Sequence, residues 1–126
     1  MEIKYKIELA PVSFIAGDYQ EFMYNLVNDD TLAPVDIGAA RELGMILFAY
    51  GDNEHPSIVK QGEPVIINGV ASAFLVKLTS DDTKNLNRGL YMQQPYLIDD
   101  DGKVFRPGQG KVEILSRWFE ENVIKI

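Results

Sequence analysis

Cysteine is absent from this 126-residue sequence, and histidine and tryptophan occur once each. Without cysteine there are no disulfides and no thiolate chemistry, which agrees with folding in a reducing compartment. Zinc sites draw on several Cys or His ligands, so a chain whose only such residue is His55 is not expected to hold one. A Ser-His-acid triad would also need His55, yet that residue precedes Pro56 in the polar stretch GDNEHP, and no Ser stands in a Gly-x-Ser-x-Gly turn. An exposed loop histidine is the expectation. No apolar run approaches the roughly 20 residues of a membrane helix, and Met1-Glu2-Ile3-Lys4 lacks the basic stretch and apolar core of a secretory signal, so synthesis and folding in the cytoplasm are expected. Basic residues are outnumbered 12 to 19, for a net charge of -7. The basic side chains, among them Lys4, Lys60, Lys77, Arg88, Lys103 and Arg117, are scattered rather than clustered, so nucleic acid is not an expected partner.

The length suits one domain with one core, and 46% apolar with 25% charged residues is ordinary for a globular chain. MEIKYKIEL alternates Ile3, Tyr5, Ile7 and Leu9 with charged residues, the period of a half-buried strand with an edge-type charged face. VSFI and YQEFMYNLV follow, the latter with Phe22, Tyr24 and Leu26 on one side, before a loop at Asn28-Asp29-Asp30-Thr31 and Pro34. ELGMILFAY, from Glu42 to Tyr50, is too apolar for a surface strand and reads as a central strand buried on both sides, with a helix as the alternative. In PVIINGVASAFLVKL, Asn68-Gly69 predicts a type I′ hairpin, after which Phe74, Val76 and Leu78 share a face. The stretch from Thr79 to Leu86 offers capping residues and one turn of helix crossing between strands. Gly89 opens LYMQQPYLI, where Pro95 predicts a bulge or an edge; Asp101-Gly102 makes a second hairpin turn into KVFR, and GKVEILS is the last strand. Such spacing predicts an all-β, immunoglobulin-like antiparallel sandwich over residues 1–116, with Phe74, Val76, Leu78, Tyr91, Val112 and Ile114 inside. Residues 117–126 are expected to form a C-terminal tail, helix or strand; Leu115 just before it and Trp118, Phe119, Val123 and Ile126 within it fall near helical spacing, with Ser116 as the candidate cap.

Asp99-Asp100-Asp101-Gly102 resembles a calcium loop, but the EF-hand register would put Leu97 and Gly108 at ligand positions, so an acidic turn is the expectation. Glu21, Asp29, Asp30, Asp36 and Glu63 could supply a glycosidase-type carboxylate pair only if folding brought two together. Gly108-Gln109-Gly110 lacks the following helix of a phosphate loop. Asn87, Gly89 and Tyr91 match a tyrosine corner, in which the hydroxyl returns to an upstream backbone group; a glycine that merely starts a strand is the other reading.

In the order of its signals the chain resembles the immunoglobulin-like N-terminal module of phage upper baseplate proteins. The resemblance is carried by Gly17-Asp18, Asp29-Asp30, Pro34-Val35-Asp36-Ile37, LTSDDTKNL, Gly89-Leu90-Tyr91, and IDDDGKVF before GKVEIL, roughly Ile15 to Ser116. It implies a non-enzymatic virion part, an adaptor that docks to a tail hub or carries receptor-binding proteins, with no catalytic, cofactor or metal residues. Its partners would be other tail or baseplate proteins and further copies of itself, with no membrane involved. Trp118, Phe119 and Val123 are the candidate contact residues, since aromatic anchors concentrate interface energy. Two other classes stay open: a carbohydrate-binding sandwich, given six Tyr and one Trp, and a glycan-processing enzyme. A glycan binder should expose a row of aromatics on one face, whereas an adaptor should show an apolar patch.

Overall fold

A computed structural model describes residues 5–7, 9–52 and 54–115. Along the chain run β1 (Tyr5–Lys6), β2 (Val12–Ile15), β3 (Gln20–Asn25), β4 (Val27–Asn28), β5 (Glu42–Ala49), β6 (Pro56–Gln61), β7 (Glu63–Ile67), β8 (Val70–Leu78), α1 (Ser80–Thr83), β9 (Gly89–Ile98), β10 (Val104–Phe105) and β11 (Gly110–Leu115). A six-stranded sheet has the order β2-β11-β9-β5-β6 with β10 beside β9; a three-stranded sheet has the order β3-β8-β7; β1 and β4 make a small ribbon. The expected boundary after residue 116, and the tail beyond it, lie outside the described residues.

Alternation on each strand builds the core. Phe22 and Tyr24 of β3, Phe74, Val76 and Leu78 of β8, Tyr91 of β9, and Val112 and Ile114 of β11 are all buried in it, so each sheet turns one apolar face inward. The antiparallel expectation needs one amendment, because β2 pairs with β11 in parallel. Parallel neighbours cannot be joined by a tight turn, and here nearly the whole domain lies between them. Of the alternating N-terminal segment, residues 1–4 and 8 lie outside the described residues. Tyr5 and Lys6 pair with Asn28 and Val27 at an edge, and Ile7 is buried.

Between the sheets a buried polar contact joins Tyr24 to Gln93: the Tyr24 hydroxyl donates to Gln93 Oε1 at 2.7 Å, both residues 1% exposed. Burial pushes the Tyr24 hydroxyl's pKa well up, so it remains a donor. Gln93 follows Tyr91 by two residues, the place of the second half-cystine in disulfide-bearing immunoglobulin domains. In a chain without cysteine, a hydrogen bond spans the sheets there.

Turns formed where local chemistry allows them. Asn68 (φ 51°) and Gly69 (φ 80°) take the left-handed pair of a type I′ turn between β7 and β8. Helix α1 carries the chain from β8 to β9 and so from one sheet to the other, starting at a capping box of Thr79 and Asp82. It is pinned at both sides: Thr83 Oγ1 donates to Asp18 C=O at 2.9 Å and accepts from Gly17 N–H at 3.0 Å, while Lys60 Nζ on β6 donates to Asp82 Oδ2 at 2.8 Å. The Lys60 ammonium, then the Thr79 N–H, hold the Asp82 carboxyl below the usual aspartate range. A depressed carboxyl contributes stability above its unfolded pKa, about 3.9, and loses it as pH falls through the folded value. Asp82→Ala should therefore lower stability by about 1 kcal/mol at pH 7, a capping loss with a small solvent-screened ion pair. Denaturant melts should show the gap to wild type closing as pH drops below about 3.9.

Pro95 occupies an edge rather than a bulge. Tyr50 N–H donates to Leu90 C=O and Arg41 N–H to Ile98 C=O, so even-numbered residues of β9 turn their peptide groups to β5 and Pro95 turns away. On that flank the β11 pairing ends at Gln93 and the β10 pairing begins at Leu97, so no ladder partner waits for the missing N–H. The β5–β9 register runs unbroken from Glu42↔Ile98 to Ala49↔Tyr91.

Candidate functional site

At the corner named from the sequence, the Tyr91 hydroxyl donates to the Asn87 carbonyl at 2.9 Å. Gly89 between them has φ 151°. This contact anchors the start of β9. Trp118, Phe119 and Val123 lie outside the described residues. His55 is exposed, its Nδ1 3.1 Å from Asp52 Oδ1, and the same carboxylate accepts the N–H groups of Glu54 and His55. Asp99, Asp100 and Asp101 have carboxylate oxygens within 4.8 Å of one another. Asp99 Oδ1 already accepts from Asp101 N–H and Lys103 N–H, the work of an acidic turn. Of the other acids, Glu21 lies on β3, Glu63 opens β7, Asp29 and Asp30 are exposed after β4, and Asp36 accepts the Gly38 N–H.

A different feature stands out on the outward side of the six-stranded sheet. Odd-numbered residues of β9 enter the core, so Leu90, Met92, Gln94, Tyr96 and Ile98 point outward, and register places them beside the outward residues of β5. Cross-strand rows follow from the pairings: Leu90 beside Tyr50; Met92 beside Phe48 and Pro56; Gln94 beside Ile46 and Val59. A sheet face turned to water normally reads polar. Here three adjacent strands present apolar side chains in consecutive rows, with Leu90 42% and Val59 58% exposed. Beside them Arg106 and Gln109, from the connection of β10 to β11, rim a shallow cavity of about 320 Å³ whose floor is Ile46, Phe48 and Pro56.

Farther along the same face, Tyr96 lies across Gly44: a Cβ built on Gly44 would stand 2.6 Å from the Tyr96 hydroxyl oxygen and 2.6 Å from the Lys60 carbonyl. The ring is thereby buried on the outside of the sheet, and its hydroxyl donates to Glu42 Oε2 at 2.6 Å. Burial first, then the Glu42 carboxylate, push the Tyr96 pKa up to about 12, so the donor persists at any physiological pH.

Sequence reasoning missed this face. The signal was present: ELGMILFAY is apolar at both parities, and LYMQQPYLI has Leu90, Met92 and Ile98 at one parity with Tyr91 and Leu97 at the other. Burial of both sides of β5 was expected, but not that the outer side would be apolar across neighbouring strands.

No protein-family model matches the chain, and no curated protein sequence does. Solved structures do match. A mutant SrpA adhesin from Streptococcus sanguinis aligns with 97% of this chain at TM-score 0.50 and 12% identity, the match covering 63% of the adhesin chain. CopC from Methylosinus trichosporium aligns with 89% of this chain and 94% of its own at TM-score 0.45 and 9% identity. The fibronectin(III)-like modules of Clostridium thermocellum CbhA align with 89% of this chain and 96% of theirs, at TM-score 0.43 and 7% identity. At such identities a likeness concerns the fold alone, and with the strand order above the fold is that of an all-β immunoglobulin-like sandwich.

Proposed function

We propose that this chain is a non-enzymatic structural adaptor of a phage or prophage tail or baseplate, made in the bacterial cytoplasm and working in the virion, where it docks to a tail hub or carries receptor-binding proteins. The placement in a tail draws on the resemblance carried by Gly17-Asp18, LTSDDTKNL and IDDDGKVF. The binding role is supported by one observation, the apolar outward side of the six-stranded sheet, since contiguous exposed apolar surface suits a protein partner. Its open side chains are largely aliphatic. Phe48 and Tyr96 are buried there and Tyr50 is the open aromatic of that face, which is not the row of rings that a glycan binder needs. The Trp118, Phe119 and Val123 segment is the proposed contact with the rest of the particle, as aromatic anchors carry much of the energy at interfaces.

Immunogold electron microscopy of particles released from a host that carries the gene tests the reading. Gold at the tail end is the expected result. Particles that stay unlabelled while the protein remains in the particle-free fraction would overturn it.

A further inference from the structure

We propose that the chain's own C-terminal segment, residues 117–126, folds back over the apolar outward side of the six-stranded sheet and closes it in the free protein. The inference rests on the binding reading of that face and adds its regulation: a partner must displace the segment to dock, and Trp118 and Phe119 come free in the same step. Three observations carry it.

The first is where the described chain leaves the sheet. Val112 and Ile114 of β11 enter the core, so Lys111, Glu113 and Leu115 point outward. Register sets Lys111 beside Met92 and Glu113 beside Leu90, so β11 ends at Leu115 just past the first apolar row, on the flank of the field. From that level to the row of Gln94 is ~20 Å at ~3.3 Å per residue. Two residues suffice for a tight reversal. Residues 118–126 then reach about 30 Å if extended and about 14 Å if helical, so either form lies over the field.

The second is size. The apolar rows cross only β9, β5 and β6. Three strands ~4.8 Å apart and three rows ~6.7 Å apart make roughly 300 Å² in projection, well short of the ~800 Å² that each partner buries in a standard interface. A single strand or helix, about 10 Å across, covers most of such a field.

The third is the order of charges. At the end where β11 stops, Glu113 and the acids of the β5–β6 connection, Asp52 and Glu54, outnumber Arg88. Farther along, Lys111 stands beside Met92 and Arg106 rims the cavity over Ile46, while Glu42 beyond them accepts from Tyr96. The segment begins Arg117, Trp118, Phe119, Glu120, Glu121. Laid back from Leu115, it sets Arg117 by the acids, the two rings on the rows of Leu90 and Met92, and Glu120 and Glu121 by Lys111 and Arg106. Exposed pairs of this kind contribute little energy; the rings supply the attraction and the charges set the direction.

Trp118 is the sole tryptophan, so its emission reports on the segment alone. In the full chain, at concentrations where sedimentation equilibrium shows a monomer, emission should be blue-shifted and acrylamide quenching several-fold weaker than for N-acetyltryptophanamide. Leu90→Lys with Tyr50→Lys, both at exposed positions of the first row, should move emission and quenching to those of the free indole. Each substitution alone should do so in part, which decides the matter if far-ultraviolet circular dichroism shows that the pair does not fold. Met23→Lys, on the exposed side of the three-stranded sheet, should change neither reading. Lys111→Glu should raise quenching, and Glu120→Lys added to it should lower it again. A wild-type Trp118 as open to acrylamide as the free indole overturns the proposal, as does protection that survives the Leu90 and Tyr50 substitutions or is lost in Met23→Lys. Protection that appears only as a dimer forms assigns the face to a second copy and overturns it as well. Each of these outcomes leaves the adaptor reading to stand or fall on particle labelling alone.

Discussion

Replacing Tyr24 by Phe should lower stability by about 1–3 kcal/mol, because it strands a buried acceptor rather than because it removes a contact. The ring keeps its packing, including the neighbouring Phe74 at 5.0 Å between centroids. What is lost is the donor to Gln93 Oε1, an oxygen on a side chain 1% exposed. Gln93→Leu alone should cost a similar amount by leaving the Tyr24 hydroxyl without its acceptor. Tyr24→Phe combined with Gln93→Leu removes both polar groups and should recover most of the loss, since an apolar pair of similar shape needs no partner. Urea melts of the four proteins form the double-mutant cycle. Additive losses would mean that the bond between the sheets contributes little.

Gly44→Ala should be at least as costly, roughly 1–3 kcal/mol and toward the upper end of the usual overpacking range. The added methyl would meet the Lys60 carbonyl at 2.6 Å, and that oxygen belongs to the backbone of β6, which pairs with β5 through Gly44↔Gln61 and Met45↔Lys60. The other obstacle, the Tyr96 hydroxyl, can swing away only by giving up Glu42. Tyr96→Ala should restore much of the stability of Gly44→Ala if the ring is the main obstacle, and little if the carbonyl is. Thermal melts of the single and double variants separate the two.

Much of the fold could be read from local chemistry because local chemistry decided it. Asn68-Gly69 supplied left-handed backbone where the hairpin needed it, Thr79 and Asp82 capped a helix of one turn, and Pro95 stood where no neighbour required its N–H. β6 escaped notice because PSIVKQ inverts the usual pattern: at this edge the outward residue is Val59, while Lys60 turns toward α1 to reach Asp82. The parallel pairing of β2 with β11 is set by residues about a hundred positions apart. Gln93 reads as a surface residue in LYMQQPYLI, yet parity sends it inward, where Tyr24 satisfies it. The outward apolar face needed cross-strand register, which no single segment contains.

Methionine methyl resonances offer the most direct test of where this protein makes contact. Met92 sits on the outward side of the six-stranded sheet, Met23 on the exposed side of the three-stranded sheet, and Met45 in the core. With ¹³C-methyl methionine labelling and spectra of the full chain and of its variant carrying Trp118→Ala and Phe119→Ala, the Met92 signal should move when the two rings are removed while Met23 and Met45 hold still. A pair of spectra in which Met23 moves and Met92 does not, or in which neither changes, contradicts a contact on the six-stranded sheet.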